Sequence, residues 1–311
     1  MRHDGAMARL SFTLVQLRYF LAAAEEGTMT GASRSLMVSQ SAISTAIAQL
    51  ERELGVQLFV RHHARGLTLT SVGEDFVREL RPFLVHAADL EDLARGVGTS
   101  VVGELVIGWF STLAPFRLPE VVAAFEERYP RASVRVLEAQ HAELKEALRH
   151  GRCEVSVMYG YDVGDLESVQ VDSVRPYVIL PEGHRRATGD VVSLEDLVDE
   201  PMVLLDLPHT SDYFLSLFRA RGLGEPTVRF RSPSYETVRS MVAHGHGFGL
   251  LNQRPAHDLT YDGTAVVPVP LADEVEELGI VVAWPRGARL TRRAQAFIHA
   301  MRAGSSDPVP E

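Results

Sequence analysis

The spacing of apolar residues between positions 28 and 54 predicts two short helices joined by a tight turn. Thr28 and Ser39 are each suited to the N-cap of a helix, and Met37 and Val38 lie in the turn between them. In the second helix one apolar stripe recurs every three or four positions, at Ile43, Ile47, Leu50 and Leu54. The opposite face is small and polar, which allows close approach to a DNA groove. Taken alone, the pattern also fits an ordinary amphipathic helix pair with a solvated face.

The flanking segments supply the rest of a small DNA-binding fold. Thr13 and Gln16 have the spacing of a capping box, and the helix that they open is expected to end at Gly27. Downstream, residues 56–60 and 67–69 are short strand candidates that predict a two-stranded wing. The expected wing tip carries basic side chains suited to phosphate or minor-groove contacts: Arg61, His62, His63 and Arg65. A third helix and a wing complete the core that a helix-turn-helix requires.

Residues 17–73 resemble the DNA-binding domain of LysR-type transcriptional regulators along their whole length. The most family-like segments are LRYF, VSQSAIS, QLERELGVQLF and LTLTSVG. The family usually has Phe, Ala and Pro where this chain has Met29, Ser33 and Ser41, and often a basic or amide residue at Thr45. The resemblance implies that the second helix enters the major groove of double-stranded DNA, with specificity retuned by these departures. The residues expected to contact DNA are Thr30, Ser39, Gln40, Ser41, Ser44, Thr45, Gln49, Arg61, His62 and Arg65.

Composition limits the class of protein. With 311 residues, 46% of them hydrophobic, the chain is long enough for two or three domains. No apolar run approaches ~18 residues, so no membrane span is predicted. Residues 1–11 lack the apolar core of a signal peptide and are expected to be a disordered leader. Cys153 is the single cysteine, which favours a reducing cytoplasm and a buried filler over a two-cysteine peroxide sensor.

The formal net charge of −10 is unusual for a DNA-binding protein, but the charge is unevenly distributed. Between residues 12 and 70, five arginines oppose four glutamates, which leaves this segment slightly positive. Affinity for DNA is therefore expected from a few placed arginines and from dimerisation, and not from a polybasic surface.

Residues 71–97 predict one long helix with a single apolar seam. Ser71 and Glu74 have capping-box spacing, and Pro82 predicts a kink. The seam consists of Phe76, Leu80, Phe83, Ala87, Leu90, Ala94 and Val97. A seam of this length needs a partner. In LysR regulators the corresponding linker helix pairs across a dimer, so the resemblance implies a homo-oligomer, either a dimer or a tetramer.

From residue 103 the pattern changes to apolar strands alternating with amphipathic helices, which predicts a mainly parallel sheet covered on both faces. Two such α/β lobes, with segments such as LKEALRHGRCEVSVMYG and MVAHGHGFGLLN, resemble the periplasmic-binding-protein-like effector domain of LysR regulators. The expected fold is thus a multidomain α+β and α/β protein: a winged helix-turn-helix at 12–70, a linker helix at 71–98 and an effector domain at 99–303. Its lobes are expected at 99–165 with 273–303 and at 166–272, joined near 160–174 and 270–277.

Open α/β sheets bind ligands at the carboxyl ends of their strands, where helix N-termini present N–H groups to anions. The family counterparts of the residues that this rule selects line an inducer pocket. The expected effector-binding residues are Phe110, Ser111, Thr112, Tyr159, Asp206, His209, Thr210, Ser232, Ser234, Gly247 and Phe248. Ser111 and Ser234 are also interpretable as plain helix N-caps. The expected effector is a small carboxylate or an aromatic compound, because Tyr213 and Tyr235 add flat apolar surface.

An enzyme is the main competing class, but the chain has no GxSxG, GxxxxGK[ST] or HExxH motif. No catalytic residue, cofactor or metal site is predicted, and His244 and His246 are interpreted as surface or pocket-wall residues. A metabolite-binding module whose helix-turn-helix serves only assembly is a second alternative, which sequence preference in DNA binding would exclude. The favoured hypothesis is a cytoplasmic bacterial regulator of the LysR type, controlled by a small-molecule effector bound between two lobes.

Overall fold

The computed structural model describes residues 11–62, 66–92 and 101–304. The chain divides into two compact units, one built mainly from the first 100 residues and the other from most of the remainder. Each is described by itself below. Within the described ranges, no helix is both long enough and apolar enough to cross a membrane.

Three helices begin the first unit: α1 (Leu14–Glu26), α2 (Met29–Ser35) and α3 (Gln40–Leu54). Their caps confirm the sequence pattern. Thr13 and Gln16 form the capping box of α1. Thr28 and Ser39 accept hydrogen bonds from backbone N–H groups three residues further on, at 3.0 and 3.2 Å. Gly27 ends α1 and Gly55 ends α3, each with a left-handed backbone conformation. Glycine is favoured at such a helix end because a residue with a Cβ would be strained there.

The apolar stripe of α3 forms the centre of this unit. Ile43, Ile47 and Leu50 have no exposed surface and belong to one cluster with Phe20 and Phe59. The ring centroids of Phe20 and Phe59 are 5.1 Å apart. Full burial of each aliphatic side chain contributes about 1.5–3 kcal/mol, so the stripe fixes which face of α3 points outward.

The wing is a two-stranded antiparallel sheet of β1 (Phe59–His62) and β2 (Gly66–Leu69). The prediction of a strand at 56–60 was wrong in its position. The N–H groups of Leu58 and Phe59 donate to the Glu51 carboxylate, at 2.9 and 3.1 Å. This contact ties the chain to the last turns of α3, so strand pairing begins only at Phe59.

The next helix, α4 (Ser71–Asp92), is capped one residue earlier than predicted. The Thr70 hydroxyl accepts from the N–H of Gly73 at 3.0 Å and donates to the Gln57 carbonyl at 2.8 Å. Thr70 therefore has the N-cap role, and the predicted capping box of Ser71 and Glu74 was wrong. Both residues can cap a helix, and only Thr70 is also fixed by the neighbouring chain.

The apolar seam of α4 is covered at one end and open at the other. Val77 and Leu80 are buried in the core of the first unit. Phe83 and Leu90 are 45% and 66% exposed. The helix is continuous across Pro82, and the kink expected there stays a prediction. The last seam positions of the sequence pattern, Ala94 and Val97, lie outside the described residues.

The strands of the second unit are β3 (Gly103–Phe110), β4 (Ala132–Ala139), β5 (Val155–Tyr159), β6 (Leu166–Val174), β7 (Tyr177–Pro181), β8 (Met202–Leu205), β9 (Val228–Ser232), β10 (Gly249–Leu251), β11 (Val266–Pro270) and β12 (Leu278–Pro285). Its helices are α5 (Ala114–Arg128), α6 (His141–Arg149), α7 (Thr210–Ala220), α8 (Tyr235–Ala243) and α9 (Arg292–Gly304). They form two lobes, of which the first is built on one five-stranded sheet and the second on a three-stranded and a two-stranded sheet.

The sheet of the first lobe has the strand order β4-β3-β5-β12-β6. β3 runs parallel to β4 and β5, whereas β12 is antiparallel to both of its neighbours. The return of β12 to this lobe agrees with the sequence pattern. Four of the five strands, β4, β3, β5 and β6, run in the same direction, as predicted for a mainly parallel sheet, and β12 alone runs against them.

The edge strand β6 was missed in the sequence. Residues 166–174 were expected in the second lobe or in a crossing segment, yet they pair with β12 along their whole length. The chain therefore passes between the lobes at residues 175–176 and again at 271–277. In the second lobe β7 is antiparallel to β10 and β11, β8 is parallel to β9, and a bridge from Met202 to Phe248 joins the two groups.

One glycine in the second lobe is required by a close backbone approach. Gly247 has φ +143°, and a Cβ added there would lie 2.0 Å from the Pro201 carbonyl oxygen. That carbonyl accepts the N–H of Phe248 at 3.0 Å, and the Phe248 carbonyl accepts the N–H of Val203 at 2.8 Å. These bonds join the chain after α8 to β8, so the close approach at Gly247 is part of the junction between the two sheets of the second lobe.

We expect Gly247→Ala to destabilise the protein by about 3 kcal/mol or more, because backbone strain and a backbone clash add. Gly263→Ala is the matched control, since Gly263 has φ +84° but open space where a Cβ would lie. It should cost only about 1–2 kcal/mol. Urea unfolding of both variants measures the difference. Equal losses would show that strain alone accounts for the effect.

Candidate nucleic-acid interface and effector site

The first half of α3 presents the polar side chains expected to contact DNA. Gln40, Ser41 and Thr45 are exposed, and Ser44 is half-buried. From α2, the Thr30 hydroxyl donates to Gln40 Oε1 at 3.5 Å. This weak contact leaves the Gln40 Nε2 group as the outward donor. The structure thus brings most of the predicted DNA-contacting residues onto one exposed surface.

The second half of α3 is less suited to DNA. Gln49 is exposed, but its Nε2 group donates to Glu53 Oε1 at 2.9 Å. The donor of Gln49 is therefore engaged, and the carboxylate beside it repels phosphate. Ser39, by contrast, caps the helix and shares a 3.0 Å hydrogen bond with Ser41. The chemistry of α3 favours contact through its first two turns.

The basic residues of the wing are distributed differently from the prediction. Arg61 and His62 lie within β1, where they pair with Leu67 and Gly66. Their expected position at the wing tip was wrong, because the strand extends to residue 62. His63 and Arg65 lie outside the described residues. Arg61 keeps its expected place on the wing, one strand position away from the tip.

Five rings meet where the two lobes face each other. This aromatic cluster consists of Phe110, His141, Tyr159, Tyr161 and His209. His141 has 1% of its surface exposed and stacks on Tyr161 with ring centroids 4.8 Å apart. The ring centroid of His209, at the start of α7 in the second lobe, lies 6.1 Å from that of His141 and 5.9 Å from that of Tyr161. Phe110 contacts His141 and Tyr159 edge-on, at 5.2 and 5.5 Å. The cluster therefore spans both lobes.

Hydrogen bonds cross between the lobes beside these rings. The hydroxyls of Tyr161 and Thr210 are 3.3 Å apart, and Gln253 Nε2 donates to the Tyr159 hydroxyl at 3.3 Å. Burial raises the pKa of Tyr159, although hydrogen bonds from Gln253 and Thr112 partly oppose the shift. Tyr159 is thus a neutral phenol that can donate and accept hydrogen bonds.

Gln253 is also the centre of a tyrosine pair in the second lobe. The main-chain carbonyl of Gln253 accepts a hydrogen bond from the Tyr177 hydroxyl at 2.8 Å and another from the Tyr235 hydroxyl. Burial raises the pKa of Tyr177 to about 12 and also raises the pKa of Tyr235. Between the lobes, the ring of Tyr235 in α8 meets the ring of Phe116 in α5 edge-on, with the ring centroids 5.4 Å apart.

Two polar atoms near the cluster have no partner among the described residues. Gln140 Nε2 donates to the Ser111 hydroxyl at 2.7 Å, but the buried Gln140 Oε1 accepts no hydrogen bond. The buried Tyr213 hydroxyl is likewise without one, and burial raises its pKa. Buried polar groups are normally satisfied, so each atom could serve a bound molecule.

Comparison with known proteins identifies the family to which this chain belongs. The family model described as the LysR substrate binding domain matches residues 98–306. The model of the bacterial regulatory helix-turn-helix protein of the lysR family matches residues 14–74. The chain belongs to the LysR family. It is a DNA-binding transcriptional regulator with an effector-binding domain.

Individual relatives span most of this LysR regulator. It is 30% identical over 241 residues to the uncharacterized HTH-type transcriptional regulator YvbU of Bacillus subtilis, covering 78% of this chain and 82% of the relative. It is 29% identical to the DNA-binding transcriptional dual regulator OxyR of Escherichia coli, covering 92% and 94%. Its fold is similar to the crystal structure of HinK, a LysR regulator from Pseudomonas aeruginosa, with 40% identity, a TM-score of 0.64 and coverage of 95% and 99%.

Several residues expected in the effector site have other roles. Gly247 contacts Pro201, and Phe248 is fully buried in the core of the second lobe beside Phe218. The backbone approach at Pro201 turns this loop into the sheet, and ligand contact by either residue stays a prediction. Asp206 is 3.5 Å from Arg231, and its N–H donates to the Ser232 carbonyl.

The two serines interpreted as possible caps differ. Ser234 is the N-cap of α8 and accepts from the N–H of Thr237 at 3.3 Å. It also lines an outer cavity of about 380 Å³ with His244 and His246. Ser111 is not a cap, because α5 is preceded by Leu113 without a side-chain cap. The cap interpretation is therefore confirmed for Ser234 and wrong for Ser111.

The histidines and the start of α7 in the second lobe make contacts with other parts of the protein. His244 contacts the Ser240 carbonyl and His246 contacts the Phe230 ring. In the described part of the chain no group of three or more metal-binding side chains is found. At the start of α7, the N–H groups of Thr210 and Ser211 both donate to the Leu207 carbonyl. These two donors are therefore engaged, which weakens the expectation of a carboxylate there.

Sequence reasoning missed Gln140, His141, Tyr161 and Gln253. The first two follow β4, Tyr161 follows β5 in a short 3-10 turn, and Gln253 follows β10. Each lies just beyond the carboxyl end of a strand. The rule that selected Phe110 and Ser111 at the carboxyl end of β3 selects these residues too when it is applied to every strand.

The raised pKa of Tyr177 predicts a loss of stability at alkaline pH. The stabilisation is fully present below pH ~10, where the unfolded phenol is neutral, and is lost as the pH rises to about 12. We expect Tyr177→Phe to make the decline between pH 10 and 12 shallower, relative to the stability of each protein at pH 7. Urea unfolding at intervals of half a pH unit measures the slope. An unchanged slope would contradict the burial of this phenol.

Proposed function

We propose that this regulator contacts base edges through the first two turns of α3. The observation that carries the proposal is the exposed polar surface of Gln40, Ser41 and Thr45, opposite a fully buried apolar stripe. Gln40 Nε2 is the strongest candidate for a base contact, because Thr30 engages the other amide atom. Arg61 on the wing contacts the phosphate backbone. Gln49 takes a lesser part, since Glu53 already engages it.

We further propose that a small effector binds between the lobes at the aromatic cluster. Flat rings from both lobes, together with the unpartnered atoms Gln140 Oε1 and Tyr213 Oη, support a flat ligand that donates and accepts hydrogen bonds. A ligand that contacts both lobes favours one of their relative arrangements. The effector therefore shifts the population of the protein towards that arrangement. Ser111, Thr112 and Thr210 line the polar edge of this site.

Oligomerisation is proposed to occur through α4. Phe83 and Leu90 lie on one seam of the helix and are exposed, as expected of an apolar surface that a second copy covers. Two copies place two recognition helices on two half-sites of DNA. The protein works as a homodimer or homotetramer in the bacterial cytoplasm and has no catalytic activity of its own.

The DNA contact is tested by anisotropy on the DNA beside the protein's own gene and on scrambled DNA, over a salt series. We expect Gln40→Ala to reduce the preference for the native fragment about tenfold, because one specific base contact is worth roughly 1–3 kcal/mol. Gln57→Ala, at an exposed position beyond α3, is the matched control and should change nothing.

Arg61→Gln supplies the contrast in the same assay. It should weaken binding to both fragments alike and lower the salt slope by about one, because a phosphate contact carries no sequence information. If Gln40→Ala kept the full preference, base recognition by this residue would be disproved. Equal binding of both DNAs by the unmodified protein would favour a module whose helix-turn-helix serves only assembly.

We expect Leu90→Glu to weaken dimerisation at least tenfold, because a charge would be buried in the apolar seam of α4. Sedimentation equilibrium of the full chain measures the change. Glu79→Gln on the same helix, outside the apolar seam, is the control. An unaltered oligomer in Leu90→Glu would mean that another surface joins the protomers.

A further inference from the structure

A second cavity lies beside the two segments that connect the lobes. Its volume is about 280 Å³, slightly below the roughly 300–1,000 Å³ of typical ligand pockets. Arg175 and Pro176, which lead from β6 into β7, form one side. Pro270 and Leu271, which lead from β11 towards β12, form another. Both connections between the lobes therefore contribute to one small cavity.

The rim of this cavity carries positive charge. Arg175 donates to the main-chain carbonyl of Asp273 at 3.3 Å. Because this acceptor is uncharged, the contact does not neutralise the charge of the Arg175 guanidinium. Arg254 is 3.8 Å from Asp258, and both side chains are about half-exposed. An exposed pair at this distance contributes little, so the guanidinium groups remain able to bind an anion.

The inner wall is suited to a small apolar body with one polar edge. Pro176 and Val269 are buried and apolar. Asn252 Oδ1 is buried without a hydrogen-bond partner in the described residues. A carboxylate cannot donate to this acceptor, so recognition of its charge depends on the two arginines. Tyr177 borders the cavity, and its hydroxyl donates to the main-chain carbonyl of Gln253.

We propose that this cavity is a second ligand site, separate from the aromatic cluster, which binds a small monocarboxylate with an apolar body. Arg175 and Arg254 hold the carboxylate, and the proline and valine surface receives the body. Occupancy fixes the two connections between the lobes. The effect reaches the aromatic cluster through Tyr177 and Gln253, whose Nε2 group donates to Tyr159. The site thus adjusts the response to the effector.

Benzoate is the probe, with benzyl alcohol as its uncharged match and inorganic phosphate as an anion without an apolar body. Saturation-transfer NMR and calorimetry on the full chain measure binding. We expect benzoate to bind, and benzyl alcohol and phosphate to bind at least tenfold more weakly. Arg175→Gln and Arg254→Gln should each weaken benzoate about tenfold, the effect of one charge-assisted hydrogen bond. Arg131→Gln, an exposed arginine of the first lobe, is the control.

Asn252→Asp is an independent variant that keeps both arginines and places a negative charge in the cavity. It should also weaken benzoate at least tenfold. Benzoate binding that survives all three cavity variants would place the carboxylate elsewhere and overturn the proposal, as would no binding at all. Equal binding of phosphate would overturn the assignment to an apolar carboxylate. DNA anisotropy without benzoate separates these outcomes from a failure of the DNA-binding function, because the variants should bind DNA as the unmodified protein does.

Discussion

The antiparallel pairing of β12 between β5 and β6 is the constraint on which the second unit depends. Ile280 and Val282 are fully buried at the centre of this strand, opposite Tyr159 and Val157 of β5. A sheet with a missing inner strand would expose two rows of unpaired backbone groups, so the end of the chain has to return to the first lobe. That return requires the chain to pass between the lobes twice. The aromatic cluster, Gln253 and the cavity lined by Arg175 and Leu271 all lie near these two passages.

Gln253 makes the lobes depend on each other. One side chain and one carbonyl join Tyr159 of the first lobe to Tyr177 and Tyr235 of the second. Each phenol is buried, which raises its pKa and keeps it neutral. Neutral hydroxyls can exchange one hydrogen-bond partner for another at small cost, whereas a buried ion pair would strongly resist separation. The contact between the lobes is therefore specific and still able to change when a ligand binds.

The DNA-binding half was predictable in detail because its signals are local. Caps such as Thr28 and Ser39 act over three residues, and a fully buried stripe leaves a clear period in the sequence. β6 gave no such signal: LESVQVDSV is a half-exposed edge strand with polar residues at most positions. Thr70 and Gly247 were misjudged for a different reason. Their roles depend on Gln57 and Pro201, contacts that only the folded chain brings together. The same holds for the His141 and Tyr161 stack.

The DNA-facing surface gives a physical reason for the second copy that we propose. Gln40 is the main exposed amide donor of α3, Gln49 is engaged by Glu53, and the segment from 12 to 70 carries almost no net charge. One domain thus makes few phosphate contacts, and a single base contact is worth only roughly 1–3 kcal/mol. When two domains are linked, the second binds at a high effective concentration that depends on the geometry of the link. In the proposed oligomer, weak individual contacts would make DNA affinity sensitive to the arrangement of the protomers, which is the quantity that we propose an effector between the lobes to change.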